Sequence, residues 1–253
     1  MTEQDAATML REAGVDPAEA RKLKRLADAT GSAFADLVKR RVAREPFSHI
    51  AGYRDFWKHR FRVTPDVLDP RPETEALVEL ALQEPFTKVL DLGTGSGCII
   101  ISLLAERPKA RGVGTDVSET GILVAGENAE KIGVIDRLVL PLSDWFEDVG
   151  GTFDLIVSNP PYIAADDMAD LSPEVRDYEP HGALTDGADG LTHYRRIAEG
   201  APAHLRPNGR LLVEIGASQG TDVAQIFSAS GLADVAIHPD LNGKDRVVSA
   251  RKC

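Results

Sequence analysis

The sequence predicts an α/β protein in which a mostly parallel, seven-stranded sheet carries helices on both faces and follows a small helical amino-terminal domain. Three observations support this. From Pro72 onward, short apolar runs alternate with amphipathic stretches, the pattern of a parallel sheet buried between helices. The turn Asp91-Leu92-Gly93-Thr94-Gly95-Ser96-Gly97 follows one apolar run and opens a helical one; glycines there permit a tight strand-to-helix turn and close approach of a ligand to the backbone. Ahead of these, residues 1–45 are rich in Ala, Leu, Arg and Lys, with breaks at Gly14-Val15-Asp16-Pro17 and Gly31-Ser32.

Taken in order, residues 1–45 predict three short helices, with Asp16 before Pro17 and then Glu19 as one helix start. Residues 46–72 hold Phe47, Tyr53, Phe56, Trp57 and Phe61 with little helical period, and predict a linker with a short hairpin. The main domain covers 73–253. Helices are expected at 73–83, 98–106, 118–131, 190–205 and 218–229. Strands are expected at 88–92, 112–116, 137–141, 153–158, 209–215, 233–238 and 246–250. The stretch between Tyr162 and Asp189 has little regular pattern, and irregular loops of that length are often functional lids.

Composition narrows the function classes. The 253 residues, 43% of them hydrophobic, can bury a full core. No apolar stretch approaches the roughly 20 residues of a membrane span, and the start lacks the basic-then-apolar layout of a secretory signal; a cytoplasmic protein without membrane contact is expected. Net charge is −11, and residues 1–45 carry nine Lys+Arg against eight Asp+Glu, leaving 20 against 32 for the rest. An acidic main domain argues against stable nucleic-acid binding. The clusters Arg21-Lys22-Leu23-Lys24-Arg25 and Lys39-Arg40-Arg41 read as solvated helix faces or as contacts to an acidic partner. Cys98 and Cys253 form no framework, and the six histidines, His49, His59, His181, His193, His204 and His238, show no ligand spacing. They are read as structural or solvated, and no metal is expected.

The most informative stretch is Asn159-Pro160-Pro161-Tyr162, directly after the apolar run 153–158. Two consecutive prolines donate no backbone hydrogen bond, and each holds the residue before it extended. The Asn159 side-chain oxygen and the Pro160 carbonyl are therefore stiffly held acceptors with an aromatic wall beside them. Such a rim suits a planar NH2 group, taking both hydrogens and leaving the nitrogen facing a reagent. The glycine turn lacks GxGxxG spacing and any following Lys-Ser/Thr, which excludes the dinucleotide and phosphate-loop patterns.

The glycine turn with Asp116 ending the next strand resembles the S-adenosylmethionine site of Rossmann-like methyltransferases. The resemblance implies that Gly93, Thr94, Gly95 and Gly97 shape the cradle, Asp116 takes the ribose hydroxyls, Asp91 lies near the methionine amino end, and Asp144-Trp145 brackets the adenine. In order along the chain, further motifs are Pro70-Arg71-Pro72-Glu73-Thr74-Glu75, the 171–180 phrase LSPEVRDYEP and the closing 240–246 phrase DLNGKDR. Together these resemble the release-factor glutamine N5-methyltransferases of the HemK type, from about 46 to 251. Departures are Asp69 where an apolar residue is common, Ser143 where glycine is usual, Lys58 where glycine is frequent, and a shorter helical segment before Pro46.

That resemblance implies transfer of a methyl group from S-adenosylmethionine, leaving S-adenosylhomocysteine, to the glutamine amide of a Gly-Gly-Gln motif in peptide-chain release factors. Asn159, Pro160 and Tyr162 would be catalytic; Asn159 would also touch the cofactor, and Pro161, Arg71 and Glu75 would complete the substrate side. Loop 163–189 and the aromatic span 47–61 are candidates for closing the site, residues 1–45 for docking the protein substrate, and a monomer is expected. A nucleic-acid enzyme acting on an exocyclic amine of adenine or guanine would share the same rim. A catalytically silent adaptor would have no need of Asn159, Pro160, Tyr162, Asp91 and Asp116 together.

Overall fold

The structure, a computed structural model, describes residues 1–253. Three helices open the chain: α1 (Glu3–Glu12), α2 (Glu19–Thr30) and α3 (Phe34–Val42). The Thr2 side chain accepts the Asp5 N–H at 3.1 Å while Asp5 accepts the Thr2 N–H at 2.9 Å, a reciprocal cap that fixes the start of α1. Asp16 accepts the Ala18 N–H at 2.8 Å, so Asp16-Pro17 forms the turn ahead of α2. The apolar faces meet in a core of their own around Leu10, Leu23, Leu26 and Val38, which continues into α4 (Phe47–Ala51) through Ile50 and Phe47. The helical unit thus reaches past the expected boundary at 45; five residues are too few to show a helical period in sequence.

The expected hairpin follows as β1 (Tyr53–Phe56) and β2 (His59–Arg62), with Phe56 opposite His59 and a two-residue loop between. Phe56 and Phe61 meet edge to face, 6.0 Å apart, inside the main core. The hairpin is tied to α5 (Glu75–Leu82) by Glu75, which accepts the Trp57 N–H at 2.7 Å.

Seven strands form the sheet: β3 (Lys88–Leu92), β4 (Arg111–Thr115), β5 (Leu138–Val139), β6 (Phe153–Ser158), β7 (Leu205–Glu214), β8 (Ala233–Pro239) and β9 (Asp245–Arg251). Their spatial order is β5-β4-β3-β6-β7-β9-β8; the first five are parallel, and β9 runs antiparallel to both β7 and β8. One apolar layer packs α5 and α6 (Cys98–Glu106), with α7 (Glu119–Ile132), on one face; the other packs α9 (Thr192–His204) and α10 (Gly220–Ala229). The expected strand 137–141 shrinks to two residues, because 135–137 winds into a single helical turn and the edge position leaves Val139 exposed. Within 163–189 the structure adds α8 (Pro173–Tyr178), its first turn started by Pro173, and two short 3-10 pieces at 165–170 and 181–183.

The direction of winding reverses between β3 and β6, where Leu92 is opposite Ser158. Ligands of open α/β sheets bind outside the carboxyl ends of strands at such a switch point. The Ser158 hydroxyl donates to the Leu92 carbonyl at 2.7 Å, which locks the two strand ends together just where the glycine turn and the Asn159 stretch begin.

The helical unit also grips the 163–189 loop. Arg41, nearly buried, binds Glu19 at 2.7 Å and Glu174 at 3.1 Å; Arg44 binds Glu174 at 2.5 Å, and Tyr178 donates to the Ala43 carbonyl at 2.6 Å. Replacing one partner of a shielded ion pair leaves the other uncompensated. Glu174→Gln is therefore expected to accelerate proteolytic cleavage within 163–189 while the sheet's thermal transition moves little; unchanged cleavage kinetics would remove the clasp.

Asp91, in the middle of the sheet, is wholly buried, and burial pushes its pKa up to about 7 from 3.8. The folded chain then holds a proton that the unfolded chain releases between those values, so stability from this group is full below 3.8 and is lost as pH rises toward about 7. Asp91→Asn still accepts a hydrogen bond but cannot ionise. Its melting temperature relative to the parent is expected to climb between pH 5 and pH 8, and a difference independent of pH would contradict the assignment.

Candidate active site

A cavity of ≈ 320 Å³ opens at the carboxyl ends of β3, β4 and β6, in the range of small-molecule sites. Its floor is the glycine turn. Gly93, Gly95 and Gly97 all have positive φ, at 71°, 53° and 79°, a region costly for residues with a Cβ. Nothing lies within 4 Å of where a Cβ would project from Gly93 or Gly95, whereas one on Gly97 would meet Ile101 at 2.5 Å. The first two glycines leave their backbone open to a ligand, and the third lets the helix pack on the sheet.

Asp116, just past β4, holds this turn from the side. Its two oxygens accept the Gly95 N–H at 2.8 Å and the Ser118 N–H at 2.9 Å. A carboxylate has about four acceptor sites, so lone pairs remain for hydroxyl donors in the cavity, which Asp116 lines. Thr94 donates from Oγ1 to Asp91 at 2.7 Å and from its N–H to the Thr115 carbonyl at 2.8 Å.

Asp144 and Trp145 form a second wall. Trp145 sits at φ 55°, strained for a bulky side chain, and such strain gathers at functional sites. Ser143, departing from glycine, supports the turn: its N–H donates to the Asp116 carbonyl at 2.9 Å and its hydroxyl accepts the Asp148 N–H at 3.0 Å. Asp144 pairs with Arg196 at 2.8 Å. His193 lies against Trp145, ring centroids 5.0 Å apart, with an unpaired buried Nδ1. Burial lowers its pKa, keeping a neutral ring. Of the six histidines, His193 lines the cavity, as does Arg196.

The far wall brings the Asn159 stretch against Arg71 and Thr74. Asn159 and Pro161 line the cavity. The Asn159 Nδ2 donates to Thr74 Oγ1 at 3.4 Å, and its Oδ1 is buried with no partner in the chain. No backbone or side-chain donor meets the Pro160 carbonyl either. Tyr162 is braced from behind, its carbonyl accepting the Gln219 side chain at 2.9 Å, and burial raises its hydroxyl pKa above the usual value. Arg71 donates to both oxygens of Glu179 at 2.7 Å. Burial still raises the Glu179 pKa. This pair pins the 163–189 loop, whose Pro180, Gly182 and Ala183 form part of the wall.

Of the expected site residues, Gly93, Thr94, Gly95, Asp116, Asp144, Trp145, Asn159, Pro161 and Arg71 line the cavity. Asp91, Gly97, Pro160 and Tyr162 do not line it, and of these Asp91 is wholly buried and Pro160 is buried. Glu75 does not reach the cavity, since its carboxylate is engaged by the hairpin. The aromatic span 47–61 does not close the site, for Phe56 and Phe61 are core residues and the wall is made by 66–71. Thr74 and Asp69, in and beside the RPETE motif, also line the cavity. His193 carried no sequence signal. No group of three or more metal-ligating side chains is present, and no helix is long and apolar enough to cross a membrane.

Comparisons with known proteins agree with this geometry. Residues 67–172 match the family model described as the methyltransferase small domain. The chain is 62% identical over 218 residues to the release factor glutamine methyltransferase of Cereibacter sphaeroides, covering 86% of this chain and 78% of that protein. It is 47% identical over 223 residues to the like-named protein of Rhodospirillum rubrum, covering 87% and 69%. A crystal structure of a methyltransferase from Pyrococcus furiosus shares the fold, with TM-score 0.59 at 18% identity over 86% of this chain and 95% of that one. A sheet switching direction under an open glycine turn, with sequence identity on this scale over most of each protein, places the chain in the release factor glutamine methyltransferase family.

Proposed function

We infer that this chain transfers a methyl group from S-adenosylmethionine to the side-chain amide nitrogen of the glutamine in the Gly-Gly-Gln motif of peptide-chain release factors. The single observation that carries the reading is the Asn159 Oδ1: a buried acceptor, unpaired in the chain, on a side chain that lines the cavity and is braced on its other side by Thr74. Buried polar atoms are nearly always paired, and a ligand N–H would satisfy this one.

The cavity fits the cofactor: open backbone over Gly93 and Gly95 would receive its methionine portion, Asp116 the ribose hydroxyls, and Asp144 and Trp145, with His193 alongside, the adenine. When bound, the group supplies an electrophilic methyl on a positively charged sulfur. The remaining work falls to the chain. A carboxamide nitrogen is a poor nucleophile because its lone pair is delocalised into the carbonyl. The Asn159 Oδ1 and the Pro160 carbonyl would take its two hydrogens and aim the nitrogen, and placement of this kind can supply roughly 7–11 kcal/mol of the barrier. As the nitrogen gains positive charge, the same two oxygens would stabilise it. An N-protonated amide is strongly acidic, so the proton leaves to solvent without a dedicated base. The amino-terminal helical unit would dock the protein substrate through exposed Arg21, Lys22 and Arg25, and the segment from the 66–71 wall onward would catalyse.

With purified release factor and labelled cofactor, Asn159→Ala is expected to cut kcat by about 10²–10³-fold, the scale of one lost polar contact to developing charge, with cofactor affinity nearly unchanged. Equal turnover would refute the clamp. Asp116→Ala should instead weaken cofactor binding by about 1.5–3 kcal/mol, read by calorimetry; unaltered affinity would remove its assignment. DNA or RNA offered in parallel should gain no label, and labelling of nucleic acid in place of the release factor would overturn the substrate class.

A further inference from the structure

We propose that Glu214, acting through Thr74, is a positioning residue that fixes which way the Asn159 amide faces. This deepens the methyl-transfer reading and rests on it.

Glu214 ends β7, next to β6, with Val213 opposite Ser158. It is 1% exposed, and neither carboxylate oxygen has a partner in the chain. Its backbone is firmly held, the carbonyl accepting the Tyr194 hydroxyl at 2.9 Å, so the bare carboxylate is not the product of a loose chain end. Unpartnered buried carboxylates are rare and costly. Thr74, also 1% exposed, is the hydroxyl that holds this carboxylate toward its charged form against burial, although neither carboxylate oxygen closes a hydrogen bond of ordinary geometry in the folded chain. On its other side, Thr74 Oγ1 accepts the Asn159 Nδ2 at 3.4 Å.

A hydroxyl has one proton to give. An ionised Glu214 can only accept, so it claims that proton and leaves Thr74 only lone pairs to show Asn159. The amide must then present its NH2 to Thr74 and its oxygen to the cavity, the orientation a substrate NH2 requires. A protonated Glu214 can donate to Thr74 instead. The Thr74 proton is then free to swing toward Asn159, favouring the reversed amide, whose NH2 would oppose the NH2 of the substrate.

The charge state is finely balanced. Burial is the largest influence and favours the neutral form; the Thr74 hydroxyl opposes it next, followed by Arg246 on β9 and Arg71 before α5, while Glu73 adds to the neutral side. The Tyr162 and Tyr194 hydroxyls are held protonated by burial, as is the Cys98 thiol on α6. The outcome is a carboxyl pushed up to about 7, within reach of ordinary working pH.

The test is steady-state methylation of the release factor by the full chain from pH 5.5 to pH 9, with cofactor affinity and melting temperature measured alongside. Glu214→Gln is expected to lower kcat at pH 8 by about 10–100-fold, the scale of a small misplacement at a reacting group, while KM and cofactor affinity stay put. Its melting temperature at pH 8 should equal or exceed the parent's, because a buried charge is gone. The parent's kcat should rise with pH through about 7, and that limb should vanish in the variant even though Asp91 remains to titrate. Thr74→Val should lose rate similarly, and Thr74→Ser should restore most of what valine loses. A Glu214→Gln enzyme with full kcat and an intact limb would overturn the relay while leaving the methyl-transfer reading standing. Joint loss of melting temperature, cofactor affinity and rate would overturn it in favour of a purely structural role. A parent enzyme that never modifies glutamine would sink the underlying reading first.

Discussion

The site depends on two neighbouring parallel strands ending at the same level where the sheet changes its direction of winding. Leu92 and Ser158 are register partners, and the Ser158 hydroxyl on the Leu92 carbonyl at 2.7 Å fixes that level. One strand releases the chain into glycines that leave space above the backbone; the other releases it into two prolines that stiffen it. The glycine turn and the Asn159 stretch are thereby held against each other by the sheet itself.

Around this rigid pair the chain builds walls from distant segments, and ion pairs shielded from solvent do the joining. Arg71 holds Glu179, so the RPETE stretch and the 163–189 loop share one anchor. Arg41 and Arg44 hold Glu174, which ties the same loop to the amino-terminal helices. Such pairs add little net stability, since desolvation offsets much of their attraction, but they specify position. The helical unit thus contributes to the shape of the site as well as exposing Arg21, Lys22 and Arg25.

Much of this was legible in the chain. Apolar runs marked each strand within a few residues, and the central β3, β6 and β7 read as near-continuous Val, Ile and Leu because parallel strands there are buried on both faces. The glycine turn, Asp116 and Asn159 were legible since each has a backbone or charge requirement that only a few residue types meet. What escaped was set by tertiary contact. Glu75 looks like a site residue beside Arg71, yet one helical turn decides that its carboxylate meets the Trp57 N–H. His193 reaches the cavity only because α9 crosses behind Trp145, and no local pattern encodes that crossing. Glu214 ends an apolar strand as an ordinary solvated residue would. Only its burial between β6 and β9 makes it unusual.

The central claim is that a carboxamide is gripped by oxygens the fold leaves unpaired. A crystal structure with S-adenosylhomocysteine and a Gly-Gly-Gln peptide measures this most directly. The account predicts the Asn159 Oδ1 within hydrogen-bond distance, about 2.7–3.2 Å, of the glutamine side-chain nitrogen, with that nitrogen directed at the cofactor sulfur. An Asn159 turned so that its NH2 faces the peptide, or a glutamine seated away from residues 159–162, would contradict it.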